Sequence, residues 1–381
     1  MNMKICWMGY LAKNHSWSIV AQHLCREFIK LGHRVDMFST NGIEHFPDDL
    51  KPYLKGAITE TTKMNEVIYN ELIGSKLDKQ YDMQISYTAF PNFNKYFIRG
   101  NKNRFGIWNY ETSAIPKGFA KYHQYVDKIL PSSEFSKKIF TDNGIPDNKQ
   151  VVVPHGINLE RFNNHNKYPL KTKKKYVIGV MIAQLHYRKN IGGILEAYGK
   201  AFTNKDNVCL MLKIVKQSAQ PGFDISFNDI FNSWKKKYPQ HGEVEVIDKF
   251  IVDIETLYNR CDVIFNMSLA ECWHLPSIEG LAANKIVVSP RYGGQLDFLN
   301  DDNSILIDGK IIRAHKKMQY WEQSPYAKAF EPNTDQAALK LKDVIENYDS
   351  YLEKLLPNMK KIVNKYSWEN AAKQILELCQ K

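Results

Sequence analysis

The sequence predicts an α/β protein of two Rossmann-like doubly wound domains facing a central cleft. Three observations predict it. Short apolar runs that read as buried parallel strands alternate with amphipathic helical segments. The alternation breaks off in a polar, basic stretch and then restarts. The length, 381 residues, suits two domains of ordinary size rather than one.

In chain order, Lys4 to Tyr10 is the first expected strand. Trp17 to Leu31 follows as an amphipathic helix with Ile19, Val20, Leu24, Phe28 and Ile29 on one side, ended by Gly32. Arg34 to Ser39, Asp82 to Tyr87, Arg104 to Trp108 and Lys128 to Leu130 are further strands. Ser132 or Ser133 caps a helix that ends at Gly144, and Gln150 to Val153 closes the first half. The run NNHNKYPLKTKKK (163 to 175) has the composition of an interdomain connection, with a long surface loop as the alternative. The expected division is 1–165, a linker at 166–175, and a second domain over 176–364.

The pattern then restarts. Tyr176 to Ile182, Val208 to Val215 and Val244 to Ile247 are strands; Ile191 to Phe202, Phe227 to Tyr238 and Ile254 to Cys261 are helices. CDVIFNM (261 to 267) is a buried strand and Ile286 to Ser289 another. Asp335 to Asn347 and Tyr351 to Asn364 are helices. Ser367 caps a last one, Trp368 to Leu378, with Glu369 favourably placed against its dipole.

Composition narrows the class. Lys+Arg 52 against Asp+Glu 41 gives a net charge of +11, which favours anionic partners such as nucleic acid, acidic membrane surfaces or phosphorylated substrates. Six dispersed cysteines with no C-x-x-C pair argue for a reducing compartment and against a disulfide framework or zinc site. The chain opens directly into strand-like KICWMGY, so no signal peptide is expected, and no apolar run approaches a membrane span. A cytoplasmic protein is expected, with at most peripheral contact with an anionic membrane. No stable protein partner is inferred.

The most informative stretch is AECWHLPSIEGLAANKIVVSPRYGGQLDF, 270 to 298. Glu271 falls in a strand-to-helix loop and Pro276 suits the first turn of the helix that follows. Glu279 then lies about one helical turn inside. Ligands of open α/β sheets bind at the carboxyl ends of strands, and the helix N-terminus there suits a diphosphate. Two carboxylates beside an anion site would repel phosphates, so they suit sugar and ribose hydroxyls instead. Either glutamate alone reads better as a solvated surface residue. The whole order of acid, turn, Pro-started helix, second acid, apolar strand and paired glycines does not.

That block resembles the Glu-x7-Glu motif of the retaining glycosyltransferase family four, which has the GT-B fold. The resemblance implies that Glu271 contacts the donor sugar and Glu279 the ribose of a nucleotide sugar, with backbone groups of Cys272, Trp273, His274 and Leu275 lining the sugar pocket. IAQLHYRKNIGGILEAY (182 to 198) resembles the segment that sets a basic residue on the donor diphosphate. Lys189 matches the family's lysine. The family's arginine five residues earlier is Gln184 here, and Arg188 is the expected replacement. Fixed cations aimed at the leaving phosphate stabilise the transition state. PHGIN (154 to 158) approximates the P-x-G-V-D that ends the family's first domain, and His155 reads as a hinge residue. DKFIVDIETLYNRCDVIF (248 to 265) matches the base-binding region, with Phe250 and Ile251 flanking the base. The first loop, GYLAKNHSWS, has only Gly9 of the usual Gly-rich phosphate loop, with Ser16 and Ser18 as donors. In the family a terminal helix crosses back to the first domain, here 365–381.

Glu111, in WNYETSAIP, is a candidate on the acceptor side with Trp108 and Tyr110, against an aromatic core edge as the alternative. No D-x-D pair occurs, which agrees with a metal-free site and no cofactor beyond the nucleotide-sugar co-substrate. The default acceptor is a glycan or lipid-linked sugar. Hydroxylated bases in DNA are the second, since lysine clusters such as Lys173-Lys174-Lys175 and Lys235-Lys236-Lys237 suit phosphates. A non-catalytic sugar-nucleotide or nucleic-acid binding protein is the alternative of another class.

Overall fold

The computed structural model describes residues 2–12, 16–57, 81–93, 97, 101, 103–182, 184–214, 225–318 and 324–379. The chain divides into two compact units. One comprises Met1–Tyr110, Lys117–Gly156 and Tyr366–Lys381; the other comprises Glu111–Pro116 and Ile157–Lys365.

The first unit is built on β1 (Lys4–Gly9), β2 (Arg34–Ser39), β3 (Leu54–Ala57), β4 (Met83–Tyr87), β5 (Arg104–Ile107) and β6 (Lys128–Ile129). All pair in parallel, in the order β3-β2-β1-β4-β5-β6. β1 and β4 are buried almost throughout, which is why they read as continuous apolar runs rather than alternating ones. Gln150 to Val153 is not a full strand. Gln150 bridges Ile129, and the N–H groups of Val151 and Val153 donate to the carbonyls of Ile129 and Pro131. Ser133 caps the helix Glu134–Asp142, its hydroxyl accepting from Ser136 N–H at 3.1 Å. The terminal helix Trp368–Glu377 packs beside the helix Ser16–Lys30, with the His23 ring stacked on Trp368 at 4.9 Å.

The second unit repeats this plan. β7 (Tyr176–Ile182), β8 (Val208–Ile214), β9 (Glu243–Ile247), β10 (Val263–Phe265), β11 (Ile286–Pro290) and β12 (Ile305–Ile307) form a parallel sheet in the order β12-β11-β10-β7-β8-β9. Counted from β7, that is the first unit's order. Each sheet therefore reverses strand order at one point, between β1 and β4 and between β7 and β10. A doubly wound sheet binds its ligand at the carboxyl ends of the strands there.

Two features differ from the sequence expectation. The 166–175 segment lies along the second unit. Tyr168 N–H donates to the Thr256 carbonyl at 2.9 Å, and the N–H groups of Lys171 and Thr172 donate to the Glu245 carboxylate at 2.9 and 3.1 Å. The donors are backbone N–H groups, which any residue but proline supplies, so the polar composition did not mark these bonds. An antiparallel hairpin, β13 (Gly309–Arg313) and β14 (Lys328–Pro332), was not expected from the sequence, because β13 is exposed apart from half-buried Ile312 and carries no apolar alternation. No described helix is long and apolar enough to cross a membrane.

Candidate active site at the switch point of the second sheet

The loop after β7 and the loop after β10 carry the site. The first forms a short turn at Tyr187–Lys189. His186 starts it, its Nδ1 accepting from the Arg188 N–H at 3.2 Å, so that nitrogen carries no proton. Asn190 ends it in the left-handed region, a conformation Asn tolerates, and its side chain accepts from Gly193 N–H to cap the helix Ile191–Ala201. Two bonds then tie this turn to the second loop: Leu269 N–H to the Arg188 carbonyl at 2.7 Å, and Asn190 Nδ2 to the Met267 carbonyl at 3.0 Å.

Within that frame Glu271 meets two cations. Lys189 Nζ lies 2.6 Å from Oε1 and an Arg188 guanidinium nitrogen 2.8 Å from Oε2. The other guanidinium arm lies 3.0 Å from the Glu111 carboxylate, and Arg188 also donates to the Ala270 carbonyl at 3.2 Å. Glu271 is only 4% exposed. Burial would raise its carboxyl, but Arg188 and Lys189 outweigh burial and hold it well below the usual carboxylate range. Burial pulls Lys189 down from the ordinary lysine value, and Glu271 resists. The cluster is a neutral quartet of two acids and two bases. Lys189 gives one of three N–H donors to Glu271 and keeps capacity for an anion.

The paired glycines support Glu271 from beneath. Gly294 N–H donates to the Glu271 carbonyl at 2.9 Å. Gly293 sits at φ +100°, and a Cβ there would come within 2.7 Å of the same carbonyl. Only glycine satisfies both conditions.

Glu279 lies on the helix Leu275–Ala282, away from the quartet's ion pairs, and accepts from the Tyr258 hydroxyl. Burial pushes its carboxyl up to about 7, against the Tyr258 bond and Arg161. Arg161 itself pairs with Glu255 at 2.7 Å. His274 opens the helix in the left-handed region (φ 66°) and bonds Ser277 Oγ through Nδ1 at 2.7 Å. Burial holds its imidazole down near 3, so it is neutral.

The other expected residues fall into place differently. Trp273 is buried against Phe298, with centroids 4.8 Å apart, so only its backbone can face a ligand. Cys272 is half-buried and burial raises its thiol, so it is no nucleophile at neutral pH. Leu275 begins the helix. Ile251 is half-buried and Phe250 exposed, both in the loop after β9. Trp108 and Tyr110 are core residues, while Glu111 joins the quartet. Gly9 is pressed against β4, where a Cβ would come within 2.6 Å of the Tyr87 carbonyl. Ser18 is fully buried and donates to the Ala12 carbonyl at 2.6 Å, which fastens the first loop rather than offering a donor to a ligand. Of that loop, Lys13, Asn14 and His15 lie outside the described residues. Sequence reasoning missed Tyr258, which no motif marks.

The family model for glycosyl transferases group 1 matches residues 160–340, the stretch that holds every member of this cluster except Glu111. Residues 160–340 of the second unit match a group 1 glycosyl transferase domain. Two curated relatives align with the chain. A "Probable sucrose-phosphate synthase" of Thermosipho melanesiensis is 24% identical over 68% of the chain, and the chain spans about half of it, 51%. A "Putative glycosyltransferase 45" of Sulfolobus islandicus filamentous virus is 23% identical over 98% of the chain and 93% of its own length. Among solved structures, Anabaena HepE in complex with UDP and glucose superposes with a TM-score of 0.77 over the whole of both chains at 13% identity. The fold is GT-B: two parallel-sheet α/β domains. Lys189 and Glu271 thus stand in loops at the strand ends where such sheets hold ligands, and Glu279 on the helix that follows.

Proposed function

We propose that the protein is a glycosyltransferase that moves a sugar from a nucleotide-sugar donor to a hydroxyl acceptor with retention of anomeric configuration. The observation that carries this reading is the meeting of Lys189 and Arg188, from the loop after β7, with Glu271, from the loop after β10. Lys189 stabilises charge on the leaving diphosphate. Arg188, held between Glu111 and Glu271, orients the latter toward the sugar hydroxyls. Glu279, with Tyr258, accepts from the ribose hydroxyls. Glu271 is fully charged and tied to two cations, so it serves as an acceptor rather than a nucleophile. The acceptor oxygen attacks the anomeric carbon on the face that the diphosphate leaves. The anomeric carbon–oxygen bond breaks, and the acceptor proton passes to the leaving phosphate oxygen. Side-chain cations supply the positive charge, so turnover should persist in EDTA.

The acceptor is taken to be a glycan or lipid-linked sugar. The lysine clusters lend little to a DNA acceptor: Lys235-Lys236-Lys237 occupy the last turn of the helix Phe227–Lys237, where cations complement the dipole, and Lys237 pairs with Glu196. Four buried and two half-buried free cysteines fit a reducing, cytoplasmic setting. The test is a donor panel starting with UDP-glucose, read for hydrolysis and for transfer to oligosaccharide, lipid-linked and hydroxymethylated-DNA acceptors, with product anomers assigned by NMR. Sugar transfer with inversion would overturn the retaining step. Transfer to modified DNA alone would replace the acceptor. Binding of donor without any turnover would favour a non-catalytic binding protein.

A further inference from the structure

Lys213 is the one charged residue of β8, whose sequence is VCLMLKI. It is 7% exposed. Among the described residues it has no hydrogen-bond or ion-pair partner; the charge that acts on it is Asp248, the exposed residue just after β9. A buried ammonium without a partner is costly, and a strand position between Leu212 and Ile214 would be filled more cheaply by Leu or Met. Burial accordingly pulls Lys213 below the ordinary lysine value.

Its place in the fold gives the charge a use. Lys213 is next to last in β8, opposite Met181 of β7 and Ile247 of β9. It therefore stands at the carboxyl edge of the strand beside β7, whose following loop carries Lys189. That edge is short of cations. Gln184 stands where the family pattern has an arginine. Arg188 is engaged by Glu111, Glu271 and the Ala270 carbonyl. A diphosphate carries at least two negative charges and would otherwise meet Lys189 alone, itself shared with Glu271.

We infer that the Lys213 ammonium is a second diphosphate-binding cation of the donor site, supplied by β8 in place of the cation lacking at Gln184. This rests on the reading of the protein as a nucleotide-sugar enzyme. Lysine suits the task because it binds phosphate as a point charge and needs no bidentate geometry. It also accounts for tolerance of the unpaired charge, since the partner arrives with the donor.

Lys213→Met removes the charge and keeps the shape. The full-length protein and variant would be compared by thermal melting without ligand and by calorimetry with UDP, GDP, ADP and dTDP, using the tightest diphosphate and its parent nucleoside. Expected is an unliganded melting temperature equal to or above wild type, a loss of diphosphate affinity of at least about tenfold, and unchanged nucleoside affinity. Lys213→Arg should recover part of the loss. Unchanged diphosphate affinity in Lys213→Met, with a lowered melting temperature, would mean that Lys213 is structural and would overturn the inference alone. Equal weakening of diphosphate and nucleoside would move Lys213 to the base and also overturn it. A wild-type protein that binds none of the four diphosphates would instead remove the functional reading and this inference together.

Discussion

The two units thread six parallel strands in one order, yet their carboxyl edges are furnished in opposite ways. In the first, neutral side chains close the loop after β1 among the described residues. Asn41 accepts from the N–H groups of Leu11 and Ala12, Ser18 donates to the Ala12 carbonyl, and Gly9 lets the Tyr87 backbone lie close. In the second, the equivalent loops carry Arg188, Lys189 and Glu271, which together with Glu111 neutralise one another while buried. Topology sets where a site can be, and the loop residues set whether there is one. The charged edge is expensive to build, so each removal there should cost function first, whereas removals at the neutral edge should cost only stability.

The largest expected effect is Glu271→Ala. It leaves Arg188 and Lys189 buried without their shared acid, a break worth about 3–5 kcal/mol, and it removes the sugar acceptor. Turnover should fall to background. Glu271→Gln, which keeps shape and hydrogen bonding, should stay folded by circular dichroism yet remain inactive; an active Glu271→Gln would detach the acid from the chemistry.

Gly293→Ala comes next. The left-handed backbone and the contact with the Glu271 carbonyl together should cost about 1–3 kcal/mol, read as a lowered denaturant midpoint, and donor affinity should drop with it. Normal donor affinity would show that the glycine turn does not set the position of Glu271.

Glu279 gives a pH signature. Its carboxyl is raised from 4.5 to about 7 by burial. A raised acid keeps its proton longer folded than unfolded. Stability from this group is therefore fully present below about pH 4.5 and is lost as pH rises through about 7. Donor binding should run the other way, strengthening as the carboxylate forms and can accept ribose hydroxyls. Glu279→Gln should flatten the stability slope across that window in pH-dependent melts; an unchanged slope would assign it to other groups.

The smallest effect belongs to the neutral edge. Ser18→Ala should lose about 1 kcal/mol and leave donor affinity untouched. A selective loss of donor affinity there would break the contrast between the two edges.

Much of this was legible in the sequence because the central strands are buried on both faces. β1, β7 and β8 stand out as apolar runs between turn residues, and Glu271, Glu279 and Lys189 are set by a motif of fixed spacing. Two edge strands and the hairpin were not legible: β3 has only LKGA, β12 only ILI, and β13 (GKIIR) carries no apolar alternation. The polar stretch 166–175 had the composition of an interdomain connection, and partners far away in sequence, Thr256 and the Glu245 carboxylate among them, fasten it to the second unit. The same limit hid the Glu111–Arg188 pair, because nothing local links a residue after β5 to a turn after β7. Arg188 was expected to serve the diphosphate, and the structure sets it between two carboxylates that no local pattern announces.

The central claim is that the carboxyl edge of the second sheet is where a nucleotide-sugar diphosphate leaves. Lys189→Ala tests it most directly, with donor affinity from calorimetry and turnover from single-turnover kinetics on the same preparation. Charge on the leaving phosphate peaks in the transition state, so turnover should fall by about 100–1,000-fold while donor affinity falls much less. Turnover and donor affinity both equal to wild type would contradict it.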